Sequence, residues 1–181
     1  SVTNPRAHLI TSDQLTDGLI AYENMWKQGY RRIGLVSLPK TVTRFGAGYL
    51  FKQMQLSPDT RIPPLMFPIN ENKKKQGRII KAWLLKHKPD AILTDVGQLR
   101  NALAMAGYQV PQDVGLAALS GLEGNADAGI DQNSREIGKA AVQQLISLIN
   151  HNEFGIPEVC REVLVEGKWV NGSTPPPKAA R

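Results

Sequence analysis

Cysteine is nearly absent from these 181 residues. Cys160 stands alone, so no internal disulfide can form, and this usage points to a reducing compartment. Histidine is almost as scarce. His8, His87 and His151 are scattered, and Cys160 has no partner at metal-ligand spacing, so neither a metal nor another cofactor is expected. No apolar run reaches the roughly 18 residues of a membrane-spanning helix. The opening Ser1-Val2-Thr3-Asn4-Pro5-Arg6 lacks a charged start followed by an apolar stretch, so no signal peptide is read there. It also lacks Met, which suggests a processed or trimmed piece. Together these absences predict a cytoplasmic protein with no membrane partner.

Several catalytic signatures are missing too. Gly46-Ala47-Gly48 gives G-x-G, but no third glycine follows at the spacing a phosphate-binding loop needs. Close helix packing is the better reading of these glycines. No G-x-S-x-G elbow is present. Asn171-Gly172-Ser173 matches a glycosylation sequon, but without a secretion signal it reads as a chance match.

What is present suffices for one real core. Hydrophobic residues make up 41% of the chain, and a chain of this size buries roughly 70% of its unfolded surface. The formal charge of +6 is mild. It gathers at Lys73-Lys74-Lys75, Arg31-Arg32 and the tail from Lys178 to Arg181. No stripe of Lys and Arg is interleaved with aromatics, so solvated faces are favoured over a nucleic-acid surface.

Helical and strand patterns alternate along the chain. Leu15, Leu19, Tyr22 and Trp26 share one helical face, with Ser12-Asp13 at the N-cap position and Gly29 at the end. A short strand follows over Arg31 to Val36. The spacing predicts a helix over Phe45 to Gln55, a strand at Leu65-Met66-Phe67, and a helix over about Glu71 to His87. Ala91 to Thr94 and Val114 to Leu119 read as buried strands, with a helix over about Gln98 to Met105 between them. A strong amphipathic helix then carries Ile137, Ala141, Leu145 and Ile149 on one face. Glu162 to Trp169 reads as a hairpin, and the Pro-rich end from Thr174 as disordered. Helices between short apolar strands predict an α/β fold, a doubly wound parallel sheet flanked by helices. Ligands in such sheets bind beyond the carboxyl ends of the strands.

Four ordered stretches then resemble one family, the lac-repressor (LacI) family of transcription regulators. "DQLTDGLIAYENMWKQGYRRIGLV" is similar to the family's D-N-x-x-x-G-x-x-A-x-x-H-L-x-x-x-G-H-R-R-I-x-x-V. Asp13, Gly18, Ala21, Glu23, Gly29, Arg31, Arg32 and Ile33 fit, while Asn24 and Tyr30 replace histidines. "KPDAILTD", "LAMAGYQVPQDVGLAAL" and "GIDQNSREIGKAAVQQLISLI" resemble its later strands and its crossover helix. The resemblance covers about Leu9 to Trp169.

The resemblance implies a periplasmic-binding-protein-like type I effector domain, mainly its C-terminal subdomain. The family's helix-turn-helix headpiece and most of its first subdomain would precede Ser1. It implies a leading crossover segment over 1–12 and the effector-binding subdomain over 13–122. A crossover strand and a helix of the other subdomain would span 123–152, a closing hairpin 153–172, and a disordered tail 173–181. The implied partners are a small-molecule effector, a sugar or sugar derivative, and a second copy in a homodimer. Operator DNA would be reached only through the headpiece.

Carried over residue by residue, the implied ligand contacts are Asp13, Arg44, Phe45, Asp95, Ser120 and Gln132, with Asp131 at the hinge. Arg44 stands one position before the family's arginine, where Phe45 sits. Asp95-Val96-Gly97 replaces an N-D pair, and Ser120 replaces a carboxylate that commonly holds sugar hydroxyls. Two other readings stay open: a secreted solute-binding protein of the same fold, and an α/β enzyme using Asp13, Asp95 and Asp131. If the first subdomain is missing, the helix from Ser134 should expose its apolar face and drive self-association.

Overall fold

The computed structural model describes residues 5–120 and 126–178. The expected boundary between 122 and 123 lies outside the described residues, as do residues 1–4 and the last three of the tail.

The elements in chain order are β1 (Leu9–Ser12), α1 (Gln14–Lys27), β2 (Ile33–Ser37), α2 (Val42–Met54), β3 (Leu65–Met66), α3 (Lys73–His87) and β4 (Ala91–Thr94). They continue with α4 (Leu99–Met105), β5 (Gly115–Ala118), β6 (Gly129–Asp131), α5 (Ser134–Asn150), β7 (Glu162–Val165) and β8 (Lys168–Val170). Six strands form one sheet in the order β3-β2-β4-β5-β6-β8, and β1 and β7 form a second, two-stranded sheet. Among the described residues every strand pairing is parallel except that of β8 with β6.

The six-stranded sheet is doubly wound. Its strands are apolar on both sides, so each face must be covered. On one face Val36, Ile92 and Leu116 pack with Ile80, Trp83 and Leu84 of α3 and with Leu99 and Leu103 of α4. On the other, Ile33, Leu35, Leu93 and Ala117 pack with Ala21, Tyr22 and Met25 of α1 and Phe45 and Tyr49 of α2. The outer ends are fastened as well. The Asp90 carboxylate accepts the amides of Arg31 at 3.0 Å and Arg32 at 2.9 Å, joining the approaches to β2 and β4.

Two expectations are corrected. The stretch from Glu162 to Trp169 is not a hairpin. β7 pairs with β1 and β8 with β6, so its two halves belong to different sheets. β6 lies within the six-stranded sheet, and α5 stands beside β1 and β7. The tail is ordered through Lys178. Asp127 accepts hydrogen bonds from the backbone and hydroxyls of Ser173 and Thr174, at 2.6 to 2.8 Å. Beyond them, Tyr30 Oη donates to Pro176 O at 2.9 Å, and Lys178 Nζ pairs with Asp90 at 2.8 Å.

The buried face of α1 also differs from its apolar periodicity. Asp17, Gly18, Ala21, Tyr22 and Met25 are buried, while Leu15 and Trp26 are exposed. Small residues win because α2 crosses α1 at backbone contact. A Cβ on Gly48 would lie 2.4 Å from Leu15 O and 2.7 Å from Leu19 N. This is the close packing expected of the Gly46-Ala47-Gly48 stretch.

Candidate ligand-binding crevice

Three segments run between the two sheets. The first is Asp13, between β1 and α1. The second is Gln132-Asn133, between β6 and α5. The third is Glu166-Gly167, between β7 and β8. Because β7 pairs with β1 and β8 with β6, the third segment lies between the other two. Hydrogen bonds tie them side by side. Asp13 N donates to Val165 O at 2.8 Å. Asn133 Nδ2 donates to Glu166 O at 2.7 Å. Gly167 N donates to Asp17 Oδ1 at 2.8 Å.

The same edge of the large sheet carries its switch point. From β2 the chain passes through α2 to β3 on one side, then through α3 to β4 on the other. The connections leave β2 and β4 in opposite directions, the arrangement at which open α/β sheets bind ligands beyond the carboxyl ends of their strands. β5 and β6 run parallel to them and end at the same edge. α1 leads into the amino end of β2, so its own N-terminus, with Asp13, lies there too.

The topology therefore brings the expected residues to one edge, but their local settings differ. Asp13 caps α1: its carboxylate accepts Thr16 N at 3.1 Å and Thr16 Oγ1 at 2.7 Å. Arg44 is exposed on the first turn of α2, its guanidinium 5.9 Å from the Phe45 ring centre. Phe45 itself is buried in the core beneath α2. Asp95, buried past the end of β4, accepts Leu38 N at 3.1 Å and a short hydrogen bond from Thr41 Oγ1. Its carboxylate thus fixes the loop that starts α2. Ser120 is buried just beyond β5. Asp131 is exposed and accepts Asn133 N at 2.9 Å. Gln132 is half-buried next to it. Asn133 holds the N-cap position of α5 in a left-handed conformation, but its side chain serves the crossover rather than the helix.

Sequence reasoning missed Thr41, Asp17 and Gly167. Thr41 carries no sequence signal. Asp17 does carry one, because it stands four and eight residues before Ala21 and Met25 on the buried side of α1. A hollow of about 380 Å³ lies away from this edge, between the outer sides of α1 and α2, against Tyr22, Trp26, Lys27, Lys52 and Leu56. Among the described residues no group of acidic, histidine and cysteine side chains could hold a metal ion. No helix among them is long and apolar enough to cross a membrane.

The family model of the periplasmic binding protein-like domain matches residues 22–173. The chain belongs to that family. Among curated proteins none matches it.

Solved structures share the fold of this periplasmic binding protein-like domain. One is a LacI transcriptional regulator from a Rhodococcus species, 16% identical, with 96% of this chain and 66% of that chain covered at a TM-score of 0.69. A second is a LacI family transcriptional regulator from Enterococcus faecium with bound ribose. It is 18% identical, with 93% and 65% covered at a TM-score of 0.62. A third is the lac repressor dimer bound to operator and an anti-inducer, 16% identical, with 91% and 52% covered at a TM-score of 0.63. The domain thus spans between about half and two thirds of these regulators' lengths. The fold expected from the LacI resemblance is the one observed.

Proposed function

We propose that this domain binds a small sugar, or a derivative of one, as the effector-sensing part of a LacI-type transcription regulator. The observation that carries the reading is the trio of crossovers tied side by side at the switch point of the large sheet. A ligand seated there touches both units at once, so its binding free energy biases their mutual orientation. Support comes also from the ribose-bound regulator of the same fold.

In this reading Arg44 supplies a rigid fork of donors to hydroxyl or acidic oxygens. Gln132 supplies an amide from the second crossover. Asp13, Asp95 and Ser120 border the site. Asp95 acts mainly by holding the loop that presents Arg44, since its oxygens already accept hydrogen bonds. Phe45 acts by packing beneath that loop. Asp131 is the hinge contact. The role is binding rather than catalysis, because Asp13, Asp95 and Asp131 each engage local donors. The regulator works as a cytoplasmic homodimer, and operator DNA is contacted by a helix-turn-helix segment outside residues 1–181.

Isothermal titration against pentoses, hexoses, disaccharides and their phosphates tests the reading. Binding that is lost in Arg44→Ala and Gln132→Ala, with thermal stability unchanged, is the expected result. No heat with any sugar, or full binding in both variants, overturns it.

A further inference from the structure

Asp17 has no exposed surface, yet it is a carboxylic acid on a helix face made of Gly18, Ala21 and Met25. Its Oδ1 accepts the amide of Gly167, at the centre of the third crossover, across 150 positions of sequence. Its Oδ2 is buried without a hydrogen-bond partner. Gly167 is built to fit this contact. A Cβ there would lie 2.4 Å from Asp17 Oδ1, 2.5 Å from Ile130 Cγ2 and 3.0 Å from Asp131 O. A single side chain on α1 therefore grips the crossover at the point where β6 also closes on it.

The charged groups around Asp17 come from every element packed there. Asp13 precedes its own helix, Glu166 neighbours Gly167, and Asp131 ends β6. Lys168 is in register with Asp131, and Arg44 on α2 lies over the Phe45 ring. Burial is the largest influence and raises the Asp17 carboxyl. The Gly167 amide opposes it, and the charges of Asp13 and Glu166 add to the rise, leaving the group at about 6.

We propose that Asp17 is a proton-operated latch on the third crossover: as a carboxylate it holds Gly167 firmly, and as a neutral acid it loosens that hold. The proton comes from solvent and settles on Oδ2, which has no other partner, while Oδ1 remains as a carbonyl acceptor. A charged acceptor binds an amide roughly twice as strongly as a neutral one. The third crossover separates the other two, so its freedom sets the freedom of the whole junction. The proton is then a second effector whose site is distinct from the crevice. The inference rests on the crossover geometry and is independent of which small molecule the crevice takes.

The test follows the Gly167 amide and the Asp17 carboxyl carbon of the 181-residue chain by NMR between pH 4.5 and 7.5. Both signals are expected to titrate together with a midpoint near 6. Asp17→Asn abolishes the Gly167 titration, and Glu166→Gln moves the midpoint downward. Hydrogen exchange at residues 165–168, corrected for intrinsic rates, is expected to be several-fold faster below the midpoint than above it. A Gly167 signal that stays flat, one that still titrates in Asp17→Asn, or exchange unaffected by pH overturns the proposal. If Asp17→Asn fails to fold, the wild-type Asp17 carboxyl decides. A midpoint near 4 overturns the proposal and one near 6 sustains it.

Discussion

Gly18 of α1 and Gly48 of α2 meet backbone to backbone. A Cβ on Gly18 would lie 3.0 Å from Phe45 O, and one on Gly48 would lie 2.9 Å from the Gly18 carbonyl carbon. Gly48→Ala must therefore push the two helices apart. Overpacking of this kind costs about 1–3 kcal/mol and exceeds the gain in helix propensity. The urea midpoint should fall. Gly138→Ala on α5 is the matched control, with nothing within 4 Å of the added methyl, and should raise the midpoint by about 0.5–1 kcal/mol in stability.

Thr41 and Asp95 form the second test. Thr41→Val keeps the shape and removes the hydroxyl that Asp95 Oδ2 accepts. Leaving that buried oxygen unpaired costs about 1–3 kcal/mol. Asp95→Ala also removes the bond to Leu38 N. A double-mutant cycle in chemical denaturation should give clearly non-additive losses. Strict additivity would mean that the hydroxyl does not hold the carboxylate.

Two aspartates give pH dependence of opposite sign. Burial would raise the Asp127 carboxyl, but hydrogen bonds from Ser173 and Thr174 outweigh it and hold the group well below the usual carboxylate range. Its contribution to stability is present above the ordinary aspartate value and is lost as pH falls toward its folded value. For Asp17 the folded form binds the extra proton, so stability falls as pH rises from about 4 to about 6. Melting temperatures from pH 3 to 8 should show both slopes. Asp127→Asn should flatten the acid limb alone, and Asp17→Asn the limb from 4 to 6 alone.

The apolar side of α5 supplies a fourth prediction. Val142, Leu145, Ile146 and Ile149 are each more than half exposed. A contiguous patch of this kind drives association. Light scattering of the 181-residue chain should show oligomers, and Leu145→Lys with Ile149→Lys should shift it toward monomer. A monodisperse wild-type monomer contradicts this.

Much of the fold was legible because burial leaves a local trace. Ile33 to Ser37, Ala91 to Thr94 and Gly115 to Ala118 are buried throughout, and their unbroken small or apolar character announces it. Partner choice leaves no such trace. Two strand-like runs around Glu166-Gly167 imitate a hairpin, because a two-residue spacer is the commonest hairpin signal. β1, more than 150 residues earlier, captures the first run instead. The tail hides its order for a similar reason. Its prolines and polar residues look solvated until Asp127, 46 positions before Ser173, gathers four of their donors. In the crevice, residue types at strand ends were readable. The internal use of Asp95 and the burial of Asp17 depend on neighbours far away in sequence.

The final pair of strands gives the molecule an order of assembly. Leu9 to Ser12 are made about 150 residues before Glu162 to Val165, which among the described residues are their only strand partner. The outer edge of the large sheet likewise waits for Lys168 to Val170. Neither pairing can form until residues 162–170 have been made, so contacts here are strongly non-local and folding is correspondingly slow. A chain clipped or stalled before Glu162 would carry two incomplete sheets at once, and a quality-control protease would find both.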